Sequence, residues 1–191
     1  MLRAYKYRIY PTDEQKVLFA KTFGCCRFVY NWALNLKIEA YRQEKRSVAY
    51  KEVQDRLVNE LKKENQWLAE VNSQALLNSI RNLDIAYKNF FRDTHAVEFP
   101  RFKSRKNRQS FQCPQHCSID FAKGTITIPK AKDIPAVLHR GFKGTVKTVT
   151  VSMTPSGRYF ASILVDTAIQ EQKTSEPVHD TAIGIDLGIK S

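Results

Sequence analysis

The sequence is short of the features that would place it outside the cell or in a membrane. Four cysteines (Cys25, Cys26, Cys113, Cys117) in 191 residues are too few and too unevenly spaced for a disulfide framework, which leaves reduced thiols. No apolar run approaches the roughly 20 residues that span a bilayer, and the N-terminus lacks an apolar signal core. A cytoplasmic, nucleoid-associated protein with no membrane contact is expected. A membrane-surface protein would need Lys and Arg along one face of an amphipathic helix, and here they cluster around strands and loops. Carboxylates are scarce too: 19 Asp and Glu stand against 31 Lys and Arg, a formal charge of +12 with a pI near 9.6. Such a field attracts polyanions, and nucleic acid is the first candidate partner. Cys113-Pro-Gln-His116-Cys117 offers zinc-ligand types, yet its three-residue gap is not the usual two and no second ligand pair follows.

What is abundant is concentrated at one joint, Phe99 to Phe111. Five cations (Arg101, Lys103, Arg105, Lys106, Arg108) lie there with no carboxylate among them, bracketed by Phe99, Phe102 and Phe111. Cations neutralise phosphates, while the rings serve either as a stacking platform or as anchors to the core. A solvated basic loop pinned by its phenylalanines is the simpler alternative.

Before the joint the pattern is mostly helical. Leu2 to Tyr10 is a half-buried strand, with Tyr5, Tyr7 and Ile9 on one face and Lys6 and Arg8 on the other. Thr12 to Gln15 has the form of a capping box opening a short helix to about Thr22, and Gly24 is expected to break the chain. A second helix follows, with Cys25, Val29, Trp32, Leu36 and Ala40 on its stripe. Its apolar stripe is too broad to leave a free groove-reading face. A third helix runs from about Ala49 to before Trp67. Asn72-Ser73 caps a fourth, with Leu76, Ile80, Leu83, Tyr87 and Phe90 inward and Arg81, Lys88 and Arg92 as a cationic flank. These faces should pack as a small bundle.

After the joint the period becomes two. Ile119–Phe121 and Thr125–Ile128 read as a hairpin about Gly124, and Lys147–Met153 with Tyr159–Val165 as a second. Lys130, Lys132, His139, Arg140 and Lys143 lie between them. The N-terminal strand should join these in a small closed barrel, giving an α+β protein in which the bundle is an insertion. Residues 167–180 read as a linker. The last ten residues, with Gly184-Ile-Asp186-Leu-Gly188, form a buried strand presenting a carboxylate. Two-metal phosphoryl chemistry needs further carboxylates to hold ions roughly 4 Å apart, and none follows Asp186.

Taken in order, Tyr10-Pro11, Phe23-Gly-Cys-Cys-Arg27-Phe-Val-Tyr-Asn31, Trp67-Leu68, Asn82 to Phe91, Phe99-Pro-Arg-Phe-Lys103 and Gly184 to Gly188 closely resemble TnpB (OrfB), transposon-encoded relatives of type V CRISPR effectors. The resemblance implies a WED-type β-barrel from residues 1–11 and 106–168. It also implies a REC-type, helix-turn-helix-like insertion at 12–105, a linker at 169–181, and the start of a RuvC nuclease domain at 182–191. Family members are RNA-guided DNA endonucleases in which pairing to RNA supplies the sequence recognition. The implied partners are a guide-like RNA and double-stranded DNA. Lys6, Arg8, Arg81, Lys88, Arg92, the five cations of the joint and Arg140 are the expected backbone contacts. By position in the family pattern, Tyr50, Gln54, Ser73, Gln74, Gln112 and Cys113 would approach a short duplex motif, where amides pair with adenine edges. Asp186 is carried over as the one candidate catalytic residue and metal ligand, in an incomplete site. No cofactor is therefore expected for this chain alone, and Mg2+ only where that site is completed. The expected function is nucleic-acid binding without cutting. An endonuclease completed by a further half is the alternative, and a nuclease-dead repressor a lesser one.

Overall fold

The computed structural model describes residues 1–93 and 96–167; the linker expected at 169–181 and the strand expected to bear Asp186 lie outside them. Strand β1 (Leu2–Ile9) leads into a 32-residue helix, α1 (Asp13–Glu44). The capping box forms as its sequence requires: the Thr12 amide donates to Gln15 Oε1 (3.0 Å) and the Gln15 amide to Thr12 Oγ1 (3.3 Å), satisfying two orphan donors. The expected break at Gly24 does not occur. Gly24 sits inside α1, flanked by buried Phe19, Phe23, Cys25, Cys26 and Tyr30, and packing of those side chains outweighs the roughly 1 kcal/mol cost of a helical glycine. A Cβ added at Gly24 would meet nothing within 4 Å. Gly24→Ala is therefore expected to stabilise the fold by about 0.5–1 kcal/mol. Urea denaturation checks this, and a lowered midpoint would show that the helix needs the glycine.

Helix α2 (Tyr50–Arg56) continues through a π turn (Leu57–Leu61) into a last helical turn, α3 (Lys62–Glu64). A 3-10 turn (Gln66–Glu70) precedes α4 (Ser73–Arg92). Asn72 caps α4 as its sequence implies, its Oδ1 accepting from the amides of Gln74 (2.8 Å) and Ala75 (3.3 Å). Leu76, Ile80 and Leu83 of α4 are fully buried. With α1 and α2 packed on it, the expected bundle is present.

The remaining strands are β2 (Gln109–Cys113), β3 (Ser118–Asp120), β4 (Thr125–Ile128), β5 (Ala131–Val137), β6 (Thr145–Met153) and β7 (Tyr159–Asp166). Both expected hairpins form, β3 with β4 across Gly124 (φ +66°) and β6 with β7. One antiparallel sheet runs β2-β6-β7-β1-β5-β4-β3. The α+β class holds, but the sheet is open, with β2 and β3 as its edges, and the expected closed barrel is not formed. Strand β1 pairs with β7 along its whole length yet with β5 only at Arg8 and Ile9. Helix α1 covers the β2 side instead of a closing strand. Phe19 packs on Phe111 and Tyr159, and Phe23 on Phe111, with centroids 5.3–6.1 Å apart, so apolar area is buried without barrel closure.

Candidate nucleic-acid interface

The joint is held by amides, not by carboxylates. Asn31 on α1 clamps the backbone of Lys103 twice: its Oδ1 accepts from the Lys103 amide (2.8 Å) and its Nδ2 donates to the Lys103 carbonyl (3.0 Å). At the other end Gln109, a buried side chain, donates through Nε2 to the carbonyls of Asn107 (2.6 Å), Ser104 (3.1 Å) and Arg105 (3.2 Å). Its Oε1 accepts from Arg27 Nη1 (2.7 Å). A neutral amide can satisfy carbonyls and a guanidinium together, leaving no negative charge behind. The loop between the clamps is thus fixed while its cations stay uncompensated.

Those cations divide by partner. Arg105 and Lys106 are exposed and, among the described residues, pair with no carboxylate. Arg101 meets Glu98 at 3.0 Å, but both side chains are more than 70% exposed, and such a pair is easily exchanged for a phosphate. Lys103 lies with Nζ 4.0 Å from the Tyr30 ring centroid, and desolvation there lowers its pKa. Arg108 donates to Ser152 Oγ on β6 (3.2 Å). Lys103 and Arg108 therefore also brace the joint. Of its rings, Phe111 is an anchor in the core, as expected of one of the two roles, whereas Phe99 and Phe102 are exposed.

A second basic surface follows β1. Lys6 Nζ (4.6 Å) and the Arg8 guanidinium (5.2 Å) lie over the Phe160 ring, and Arg8 also stacks on Tyr10 (5.3 Å). Arg8 Nη1 is buried with no hydrogen-bond partner among the described residues. Because β5 leaves most of β1 unpaired on one side, an open cavity of about 510 Å³ borders it, lined by Arg3, Tyr5, Lys6, Tyr7, His139 and Arg140 among others. The Tyr7 hydroxyl donates to the Arg140 carbonyl (2.6 Å) and holds that wall in place. Lys6 and Arg140, distant in sequence, share one cleft. Arg81, Lys88 and Arg92 are exposed along α4, with Lys88 paired to Asp84 (2.9 Å).

The expected motif-reading residues are less unified. Ser73 and Gln74 are exposed at the start of α4, Ser73 accepting from Lys62 Nζ (3.0 Å). Gln112 accepts from Asn82 Nδ2 (3.4 Å), about 12 Å along the helix axis from Gln74 at 1.5 Å per residue. Tyr50 and Gln54 are half-buried on α2, and Cys113 is 1% exposed, its thiol in the core. A hydrogen bond to Cys117, reinforced by burial, raises the Cys113 thiol's pKa; burial pushes that of Cys26 up to about 11. Among the described residues no cluster of three or more His, Cys, Asp or Glu could hold a metal. No helix of the described residues is long and apolar enough to cross a membrane.

Sequence reasoning missed Asn31, Arg27 and Gln109 as organisers of the joint. Their partners stand 72 and 82 positions away for the Asn31–Lys103 and Arg27–Gln109 contacts, so nothing local signals them. The only hint was that Arg27, Asn31 and Lys103 fall within the ordered motifs.

Comparison with known proteins agrees with these motifs. A family model described as a helix-turn-helix domain, of the OrfB type, matches residues 1–46. A Streptomyces pristinaespiralis protein named as an RNA-guided DNA endonuclease is 37% identical over 99% of this chain and 46% of its own length. The Escherichia coli K12 protein InsQ, named likewise, is 35% identical over 98% of this chain and 46% of its own. The virulence protein VsdF of Salmonella dublin is 35% identical over 56% of this chain and 98% of its own length. The chain thus spans about half the length of the two endonuclease-named relatives. With the ordered motifs, the helical module and these relatives together, the chain belongs to the TnpB (OrfB) family of transposon-encoded proteins.

Proposed function

We propose that this chain is the nucleic-acid-binding part of a TnpB-like protein, gripping the backbones of a guide-like RNA and of a short DNA duplex motif without cutting on its own. One observation carries the reading: a loop rich in exposed cations is fixed by neutral amides, so its charge is available to phosphates. In this reading the open sheet is the WED-type module, and the helices of residues 12–105 are the REC-type insertion. Gln54, Gln74 and Gln112 approach base edges, with Tyr50 and Ser73 beside them, while Cys113, buried in the core, takes no part. Purification of the chain from cells of its host, followed by RNA sequencing, is expected to enrich one defined transcript. Recovery of RNA in proportion to its cellular abundance would contradict the proposal.

A second reading, favoured by the names of the relatives, makes the same surface the front of an RNA-guided DNA endonuclease. Asp186 would then be one of several carboxylates holding Mg2+, which would supply Lewis-acid activation of the scissile phosphate. The described residues serve the same part in both readings: they bind and orient the strands.

A further inference from the structure

Four aromatic rings gather where α4 runs out toward the joint. Tyr87 and Phe91, one helical turn apart, stack with centroids 6.1 Å apart and planes inclined by 23°. Phe99 stands edge-on to both Tyr87 and Phe90 at 5.4 Å, and Phe90 edge-on to Phe91 at 5.2 Å. Lys37 of α1 holds its ammonium 5.3 Å from the Tyr87 centroid and donates to the Val48 carbonyl, securing the inner end. The outer end is bare: Phe91 is 71% exposed, more than any other large apolar side chain among the described residues. An isolated exposed phenylalanine is ordinary. Here the ring leans on Tyr87 and Phe90, and a ring supported on two sides gives up less side-chain entropy to a flat ligand than a free one.

We infer that Phe91 is the terminal plate of a stacking site for an unpaired base of a single-stranded segment of nucleic acid. This rests on the proposed nucleic-acid function and adds the kind of strand this corner takes. Continuity with the basic joint argues for a nucleotide over a protein partner: Phe99 belongs to both, Arg92 follows Phe91, and Phe102 is 53% exposed beside Lys103. Three carboxylates are also nearby: Asp84 and Glu98 pair with Lys88 and Arg101, and Asp93 accepts from the Ala96 amide (3.0 Å). A paired base within a duplex has both faces occupied, so only an unpaired or terminal base can extend the Tyr87–Phe91 stack.

The test uses the full chain and a short single-stranded oligonucleotide carrying 2-aminopurine, with a duplex of the same sequence as control. Phe91→Ala is expected to weaken single-strand binding about tenfold, the size of one lost base stack. It should abolish the 2-aminopurine quenching and leave duplex affinity and the salt slope unchanged. Phe91→Trp should restore both affinity and quenching. Equal single-strand affinity and quenching in wild type and Phe91→Ala would overturn the inference while leaving the proposed function standing. Failure of the wild-type chain to bind either probe would overturn both. Because Phe91 is largely exposed, the Ala variant is expected to keep the wild-type denaturation midpoint; loss of affinity for both probes alike would assign the ring a structural part and overturn the inference.

Discussion

Duplex binding by this chain is expected to weaken roughly a thousandfold when salt rises from about 50 to 200 mM, the loss for some six neutralised phosphates. The joint supplies Arg101, Arg105 and Lys106, α4 supplies Arg81 and Arg92, and the cleft beside β1 supplies Lys6 and Arg140. All are exposed, and the Arg140 backbone carbonyl is fixed by Tyr7. Each displaces counterions from the nucleic acid, so the logarithm of affinity should fall in a straight line with the logarithm of salt. Anisotropy titrations at several salt concentrations measure this. A shallow dependence, with a slope near one or two, would mean that contact is made by one or two cations only.

Removing the amide of Gln109 is the second large change expected. Gln109→Ala deletes donors to three carbonyls and the acceptor for the Arg27 guanidinium, in a buried place where water does not readily substitute. Losing a charge-assisted bond together with neutral ones costs about 3 kcal/mol, more than a hundredfold in the folding equilibrium. The nearly isosteric Gln109→Glu discriminates between causes. A carboxylate would bind Arg27 more strongly yet cannot donate, and it would set its charge against the carbonyl oxygens of Ser104, Arg105 and Asn107. It should therefore be at least as destabilising as alanine. Near wild-type stability of the Glu variant, by chemical denaturation, would show that the Arg27 contact alone matters.

Local patterns carried much of this fold. The capping box at Thr12, the Asn72 cap, the α4 stripe and both hairpins were readable because each is determined within a few residues. Gly24 misled because helix breaking is a local cost that the packing of Phe19, Phe23 and Cys26 overrides. Strand β5 escaped notice because Lys132, Asp133 and Pro135 spoil its alternation; Pro135 cannot donate to the ladder, but its carbonyl still accepts from the Tyr10 amide (2.8 Å). Barrel closure was expected from the need to hide sheet edges, but α1 hides one of them. At the interface the sequence revealed which side chains carry charge. It could not reveal which are free: Lys103 on Tyr30 and Arg108 on Ser152 look no different in sequence from Arg105 and Lys106. Those contacts are tertiary, as are the Asn31 and Gln109 clamps.

The decisive comparison is the salt slope of duplex binding for the wild-type chain against a variant carrying Arg101→Gln, Arg105→Gln and Lys106→Gln. These side chains can be neutralised without touching the clamps. If the joint grips phosphates, the slope should fall by about 2.7, and the same rise in salt should cost the variant only about fortyfold. Parallel slopes, with affinity intact, would place the grip elsewhere on the molecule.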